Sequence, residues 1–130
     1  MNFINDYRWL NKVVLVVEDD SFNYQYIQAL LSKSGLILIH AKTGEDAVNI
    51  CQTTDKIDLI LMDIQLPFMS GYEATEKIKS FRNALPIIAL TAYCFNDDKI
   101  KLLRTGCDKY ISKPIDAEEL HQTISKYLDN

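Results

Sequence analysis

The sequence predicts an α/β domain built on a parallel five-stranded sheet with helices on both faces. Three observations predict it. Five short aliphatic runs recur: Val13–Val17, Leu36–Ile39, Leu59–Met62, Ile87–Leu90 and the weaker Tyr110–Ile111. None of them alternates with polar residues, and strands buried on both faces read as such unbroken Val/Ile/Leu runs. Segments of helical spacing lie between them. Strand and helix therefore alternate five times, which is the pattern of parallel strands joined by crossover helices.

Each helix has its own signals. Phe22, Tyr26, Leu30 and Leu31 predict the apolar face of a first helix that Gly35 stops. Ala47, Val48 and Cys51 predict a second, with Thr43 as its N-cap. Ala74, Ile78 and Phe81 mark a third, closed by Pro86 ahead of the fourth strand. Ile100 and Leu103 mark a fourth that ends at Gly106, and Leu120, Ile124 and Tyr127 a fifth. The fifth opens on Asp116, with Glu119 three residues on as a capping box. Right-handed crossovers leave few topologies for five strands, of which the flavodoxin-like, doubly wound order 2-1-3-4-5 is the commonest. Five units are too few for an eight-fold barrel. Residues 1–11 read as a lead-in, with Trp9 and Leu10 packing on the domain edge, and residues 12–130 as the domain itself.

Composition narrows the function classes. The chain has 130 residues, 48% of them apolar, so it is one domain that can bury roughly two thirds of its unfolded surface. The longest aliphatic run, Val13–Val17, is far short of the roughly 18 residues a membrane span needs. Acidic residues outnumber basic ones 18 to 14, a net charge of -4, which removes the basic footprint of a nucleic-acid binder. Cys51, Cys94 and Cys107 are odd in number and form no Cys-x-x-Cys pair, so neither a disulfide framework nor a zinc knuckle is expected. Reduced thiols and the absence of a secretory pattern at the N-terminus point to the cytoplasm.

Open parallel sheets collect their chemistry at the carboxyl ends of the strands, beside the switch point of strand order. Here that point lies between strands one and three. Strand one ends in Glu18-Asp19-Asp20 and strand three in Asp63. Neighbouring strands are about 4.8 Å apart, so these carboxylates converge. Ionised carboxylates that close repel, and either one takes a proton or a cation binds. An all-oxygen cluster suits Mg²⁺, which favours a phosphate as a further ligand. Strand four ends in Thr91-Ala92 and strand five runs into Lys113-Pro114. An anionic group on Asp63 would meet a metal on one side and Lys113 on the other, an arrangement suited to phosphoryl transfer onto a carboxylate. Taken singly, each feature has an ordinary reading: an N-cap, a turn aspartate, a loop Lys-Pro.

The segments VLVVEDD (14–20), DLILMDIQLPFMSGYEA (58–74), PIIALTA (86–92) and GCDKYISKPID (106–116) together resemble the receiver domain of two-component response regulators. The specific combination is an acidic pair, an Asp with Pro four and Gly eight residues later, Thr-Ala, then Lys-Pro. The resemblance spans residues 12 to 129 and implies that Asp63 is the phosphoacceptor. It implies Mg²⁺ held by Glu18, Asp19, Asp63 and the backbone carbonyl of Gln65. Thr91 becomes the switch hydroxyl, Lys113 the phosphoryl-binding lysine and Tyr110 the aromatic that changes rotamer. Gln65 and Tyr93 would border the path of attacking water and set the lifetime of the acyl phosphate. The Lys113–Pro114 bond is expected to be cis. Expected partners are a histidine kinase or a histidine phosphotransfer domain, with a phosphorylation-dependent homodimer through the face of helix four, strand five and helix five. The domain is a phosphoacceptor rather than an enzyme in its own right.

MDIQLP, GYEAT, ALTA and the lead-in Trp-Leu-Asn-Lys are most similar to receivers of hybrid sensor histidine kinases. A stand-alone single-domain regulator and a non-phosphorylated pseudo-receiver are the alternatives, although a pseudo-receiver usually lacks one of the residues present here. A haloacid dehalogenase-type phosphatase needs a second Asp where Gln65 stands. A flavodoxin needs a phosphate loop where Glu18-Asp19-Asp20 would repel one. Two departures from the resemblance are visible: Glu18 replaces the first Asp, and Phe68-Met69-Ser70 fills a loop where many relatives carry an acidic residue or Asn. His40, ending strand two, and His121, facing solvent from the last helix, are expected to be structural or surface residues.

Overall fold

The computed structural model describes residues 8–92 and 96–129, except for the side chains of residues 96 and 97. Tyr93 and Cys94, on which two of the expectations above fall, lie outside the described residues. The elements run β1 (Val13–Val17), α1 (Ser21–Leu30), β2 (Ile37–Ala41), α2 (Gly44–Thr53), β3 (Leu59–Asp63), α3 (Gly71–Phe81), β4 (Ile87–Thr91), α4 (Asn96–Arg104), β5 (Lys109–Ser112) and α5 (Ala117–Leu128). All strand pairs are parallel and the order is β2-β1-β3-β4-β5, as the sequence predicts.

The unbroken aliphatic runs are explained by the two cores. Alternate residues of one strand point to opposite faces. Leu15, Val17, Ile60, Met62, Ile87 and Ala89 pack on one face with Ala47, Cys51, Ala74 and Ile78 of α2 and α3 and Leu102 of α4. Val14, Val16, Leu59, Leu61, Ile88, Leu90 and Ile111 pack on the other with Ile27, Leu31, Leu120 and Ile124 from the α1 and α5 side. Both faces of the central strands β1, β3 and β4 are dry, so these strands are apolar up to their carboxyl ends, whereas the edge strands β2 and β5 are only partly covered and carry polar residues.

The helix caps fall where the sequence places them. Thr43 accepts from Asp46 N–H at 3.0 Å, and Asp116 accepts from Glu119 N–H at 2.9 Å. Two strand starts are fixed by aspartates: Val13 N–H donates to Asp58, and Ile87 N–H donates to Asp108. Arg82, just past α3, donates to the carbonyls of Thr54 and Ile57, tying the far ends of α2 and α3 together.

Several helix faces differ from expectation. In α1 the buried row is Ile27 and Leu31, while Phe22 is 79% and Tyr26 49% exposed. The helix carries two apolar rows, and only one can face the sheet; the branched aliphatics take the core. Tyr26 instead bridges outward, its hydroxyl donating to the Ile115 carbonyl at 2.8 Å. In α4 the buried residue is Leu102, and Ile100 and Leu103 are exposed. Phe81, the last residue of α3, is also exposed. Trp9 is buried in the second core, its indole donating to Asp129 at 2.6 Å, but Leu10 is exposed. His121 is buried rather than solvent-facing, because the Trp9 ring covers it at 5.1 Å between centroids. Cys51 and Cys107 are buried free thiols.

Two loop positions govern the site's outline. A Cβ on Gly71 would lie 2.3 Å from the Asp63 carbonyl oxygen and 2.6 Å from Ile64 Cα, so only glycine lets α3 start this close to the end of β3. Phe68, in the same loop, is 93% exposed and held at a φ of 66°, in the left-handed region that costs an aromatic residue energy. Gly71→Ala is expected to destabilise the domain by about 2 kcal/mol in urea unfolding, through displaced backbone. Phe68→Asn is expected to raise stability by roughly 0.5 to 1 kcal/mol, because asparagine tolerates that backbone and the ring buries nothing. A lower melting temperature for Phe68→Asn would show that the ring packs.

Candidate functional site

Four charged side chains converge at the carboxyl edge of the sheet. Glu18 and Asp19 follow β1, Asp63 ends β3, and Lys113 follows β5. One oxygen from each of the three carboxylates lies within 4.8 Å of the others. Glu18 and Asp63 are buried, at 1% and 3% exposure, whereas Asp19 faces solvent. The sheet register causes this: β1 sits between β2 and β3, so the ends of β1 and β3 share an edge.

Each buried carboxylate is held from the main chain. Asp63 Oδ1 accepts from Gln65 N–H at 3.1 Å and from Lys113 Nζ at 3.0 Å. Glu18 Oε2 accepts from Asp20 N–H at 3.1 Å. Glu18 Oε1 is buried, has no hydrogen-bond partner among the described residues, and lies 3.8 Å from Lys113 Nζ. Burial pushes the Glu18 carboxyl up to about 7; the Asp63 charge adds to the rise, while the Asp20 N–H and Lys113 oppose it. One half-buried ammonium faces two buried carboxylates and a third at the rim. The unsatisfied oxygen and the all-oxygen donor set fit a hard divalent cation.

The other expected residues are placed around this cluster. Thr91 is the buried last residue of β4, and its carbonyl accepts from Lys113 N–H at 2.8 Å. Gln65 is exposed in the turn after β3. Tyr110 is not in the carboxylate cluster. It sits on β5 opposite Ala89, half-buried against the first core, with Lys99 Nζ 5.9 Å from its ring centre. The Lys113–Pro114 peptide is cis, as expected. Asp20 is the N-cap of α1, accepting from Phe22 N–H at 2.8 Å, so the ordinary reading of an acidic residue after a strand applies to it alone.

Sequence reasoning missed two contributors. His40 is not merely a strand end: its Nε2 is 2.7 Å from the Glu18 carbonyl oxygen. Tyr26 closes the gap between α1 and the Lys113 loop. The signal for His40 was available in the strand order, which sets the end of β2 beside the end of β1. For Tyr26 there was none, since its partner is a backbone carbonyl 89 residues away.

A doubly wound sheet with this edge of carboxylates and a lysine defines a class, and comparison with known proteins gives the family. Residues 14–125 match the response regulator receiver domain, and the chain belongs to that family of two-component signalling proteins. It is 39% identical over 119 residues to the sensor protein GacS of Pseudomonas syringae, covering 88% of this chain and 13% of that one. It is 37% identical to the polar-differentiation response regulator DivK of Brucella ovis, covering 92% of this chain and 98% of DivK. Among solved structures it resembles the receiver domain of the sensor histidine kinase PA1611 of Pseudomonas aeruginosa, which has a magnesium ion in its active-site cleft. That match has a TM-score of 0.84 and 32% identity, over 92% of this chain and 99% of the other. The receiver domain of Ssk1, solved with the histidine phosphotransfer protein Ypd1 of Saccharomyces cerevisiae, matches with a TM-score of 0.86 and 33% identity over 93% of this chain and 91% of the other.

The raised Glu18 carboxyl has a consequence for stability. The folded state holds that proton up to about pH 7, the unfolded state only to about 4.5. Its contribution is therefore complete below the unfolded value and lost as pH rises through 7. Metal-free Glu18→Gln is expected to match the wild type near the low end of that window. Above it the variant should exceed the wild type by on the order of 3 kcal/mol at most. Urea melts across pH in chelator test this, and parallel pH profiles for the two proteins would refute it.

Proposed function

We propose that this chain accepts a phosphoryl group from a phosphohistidine onto Asp63 in a Mg²⁺-dependent step. The observation that carries the reading is a buried aspartate set 3.0 Å from a lysine and within 4.8 Å of an acidic pair. Glu18, Asp19, Asp63 and the backbone carbonyl of Gln65 would hold the ion. Bound there, Mg²⁺ would neutralise charge on the phosphoryl oxygens. Lys113 draws negative charge on the other side of Asp63 and orients its carboxylate. In the transfer the P–N bond of the donor breaks as a P–O bond to Asp63 forms, and the freed imidazole keeps its electron pair. Such chemistry needs positioning and charge more than a separate acid or base. The domain is thus a phosphoacceptor rather than a turnover enzyme.

Thr91 and Tyr110 form the switch in this reading. Thr91 ends the strand beside Asp63, and Tyr110 lies on the next strand against the α4 side. A hydroxyl drawn toward the phosphoryl group would bias how Tyr110 packs, and with it the α4-β5-α5 face that exposes Ile100 and Leu103. That face would serve a phosphorylation-dependent partner or homodimer. Gln65 would hydrogen-bond water at the cleft without acting as a strong base, and the bulky Tyr93 ring would crowd the path of the attacking water; both favour a long-lived acyl phosphate. Histidine kinases or histidine phosphotransfer domains are the partners, as the Ypd1–Ssk1 complex supports.

The likeness to GacS and to the PA1611 receiver supports a place within a hybrid sensor histidine kinase. The 98% coverage of DivK supports a second reading, a single-domain regulator. Among the described residues no helix is long and apolar enough to cross a membrane. The buried free thiols Cys51 and Cys107 support action in the reducing cytoplasm. With acetyl phosphate and Mg²⁺ the wild type is expected to gain one phosphoryl mass. Asp63→Asn is expected to gain none, and Asp19→Asn to label at least tenfold more slowly, about 1.4 kcal/mol of barrier. Labelling of Asp63→Asn at the wild-type rate would overturn the assignment.

A further inference from the structure

We propose that His40 is a positioning residue for the acidic pair, acting through the main chain of Glu18 and resting on the metal-binding reading above. β2 lies beside β1 with Val16 opposite His40 and Val17 opposite Ala41. The residue after β1 is therefore gripped by the end of β2. Glu18 N–H donates to the Ala41 carbonyl at 3.0 Å, and the Glu18 carbonyl lies 2.7 Å from His40 Nε2. A carbonyl only accepts, so the imidazole donates from Nε2. Both main-chain polar groups of Glu18 are fixed this way, and its Oε2 is fixed by Asp20 N–H. The one oxygen left without a hydrogen bond, Oε1, is the one nearest Lys113.

The imidazole is itself held. Tyr24 of α1 stacks on it with 3.7 Å between centroids and 3° between planes. Tyr24 N–H also donates to the Asp20 carbonyl at 3.0 Å, closing the first turn of α1. The three-residue loop Glu18-Asp19-Asp20 is thus bracketed by one ring: β2 holds it through the imidazole donor, and α1 leans on the same ring through the stack. Ligand geometry for a small hard cation tolerates little looseness, and outer partners of ligands commonly set affinity by one to two orders of magnitude.

The donor and the stack can be separated. His40→Phe keeps an aromatic face for Tyr24 and removes the N–H; His40→Gln keeps an N–H donor and removes the ring. Mg²⁺ affinity by titration calorimetry on the whole chain is expected to fall about tenfold in His40→Phe and to stay within about threefold of wild type in His40→Gln. A role limited to packing gives the opposite ranking, and that ranking overturns the proposal, as does wild-type affinity in His40→Phe. Melting temperatures of the three proteins show whether each variant is folded at the titration temperature. A second measurement needs neither variant. In the metal-free wild type, nitrogen-15 spectra should show a proton on His40 Nε2; an imidazole carrying its proton on Nδ1 alone overturns the proposal. A wild type that binds no Mg²⁺ overturns the metal reading, and this proposal with it. Loss of the proposal alone is recognised by wild-type binding that His40→Phe leaves unchanged.

Discussion

Everything in this domain is organised around the cost of placing like charges in a dry sheet edge. Glu18 and Asp63 are almost wholly buried and so close that the Asp63 charge adds to what burial does in raising the Glu18 carboxyl, with Lys113 as a cation that reaches both. Such a cluster is stable only if its charges are compensated, by an ammonium, a proton or a metal. The fold supplies the burial, because the flanking strands and helices exclude water from the ends of β1 and β3. It also supplies the compensation, because strand order carries Lys113 to the same edge from a segment 50 residues away.

The rest of the framework keeps that edge from relaxing. The β3–α3 loop is drawn so tightly against β3 that glycine alone fits at position 71. Lys79 donates to Asp108, and Asp108 receives Ile87 N–H, so the starts of β4 and β5 are locked together at the opposite end of the sheet. Arg82 does the same for the helices on one face. The far end is pinned by polar bonds and both faces by aliphatic packing, so the carboxyl edge is held from below as well as by its own main-chain hydrogen bonds.

The exposed apolar residues fall at both ends of the domain, Leu10, Ile37 and Phe81 away from the site and others nearer to it. Phe22 on α1, Phe68 beside the cleft, and Ile100 and Leu103 on α4 contribute no core. They lie on the elements that begin or end next to the site. Surface apolar groups there are available to partners, whereas the faces turned to the sheet carry only what packs. The proposed transfer and the proposed switch would therefore use different surfaces of one small domain, coupled through Thr91, β5 and α4.

The fold class and most of the site were legible in the residues themselves. Uninterrupted aliphatic runs read as strands covered on both faces, which holds for β1, β3 and β4 but not for the edge strand β2. Caps such as Thr43 and Asp116 act within one turn of chain, so local sequence determined them. Glu18, Asp19, Asp63 and Lys113 were legible for a topological reason: in parallel sheets the end of each strand lands on one edge. What local sequence left open was rotation and neighbourhood. Of the face expected for α1, Leu30 and Leu31 pack on the core, but docking on the sheet chose Ile27 over Phe22 and Tyr26. The same holds for Leu102 over Ile100 and Leu103 in α4. Trp9 and His121 meet only because the turn before β1 packs against α5. His40 reaches Glu18 because β2 and β1 pair in one register rather than another. Those contacts join residues far apart in sequence, and their energy exists only once the sheet has formed.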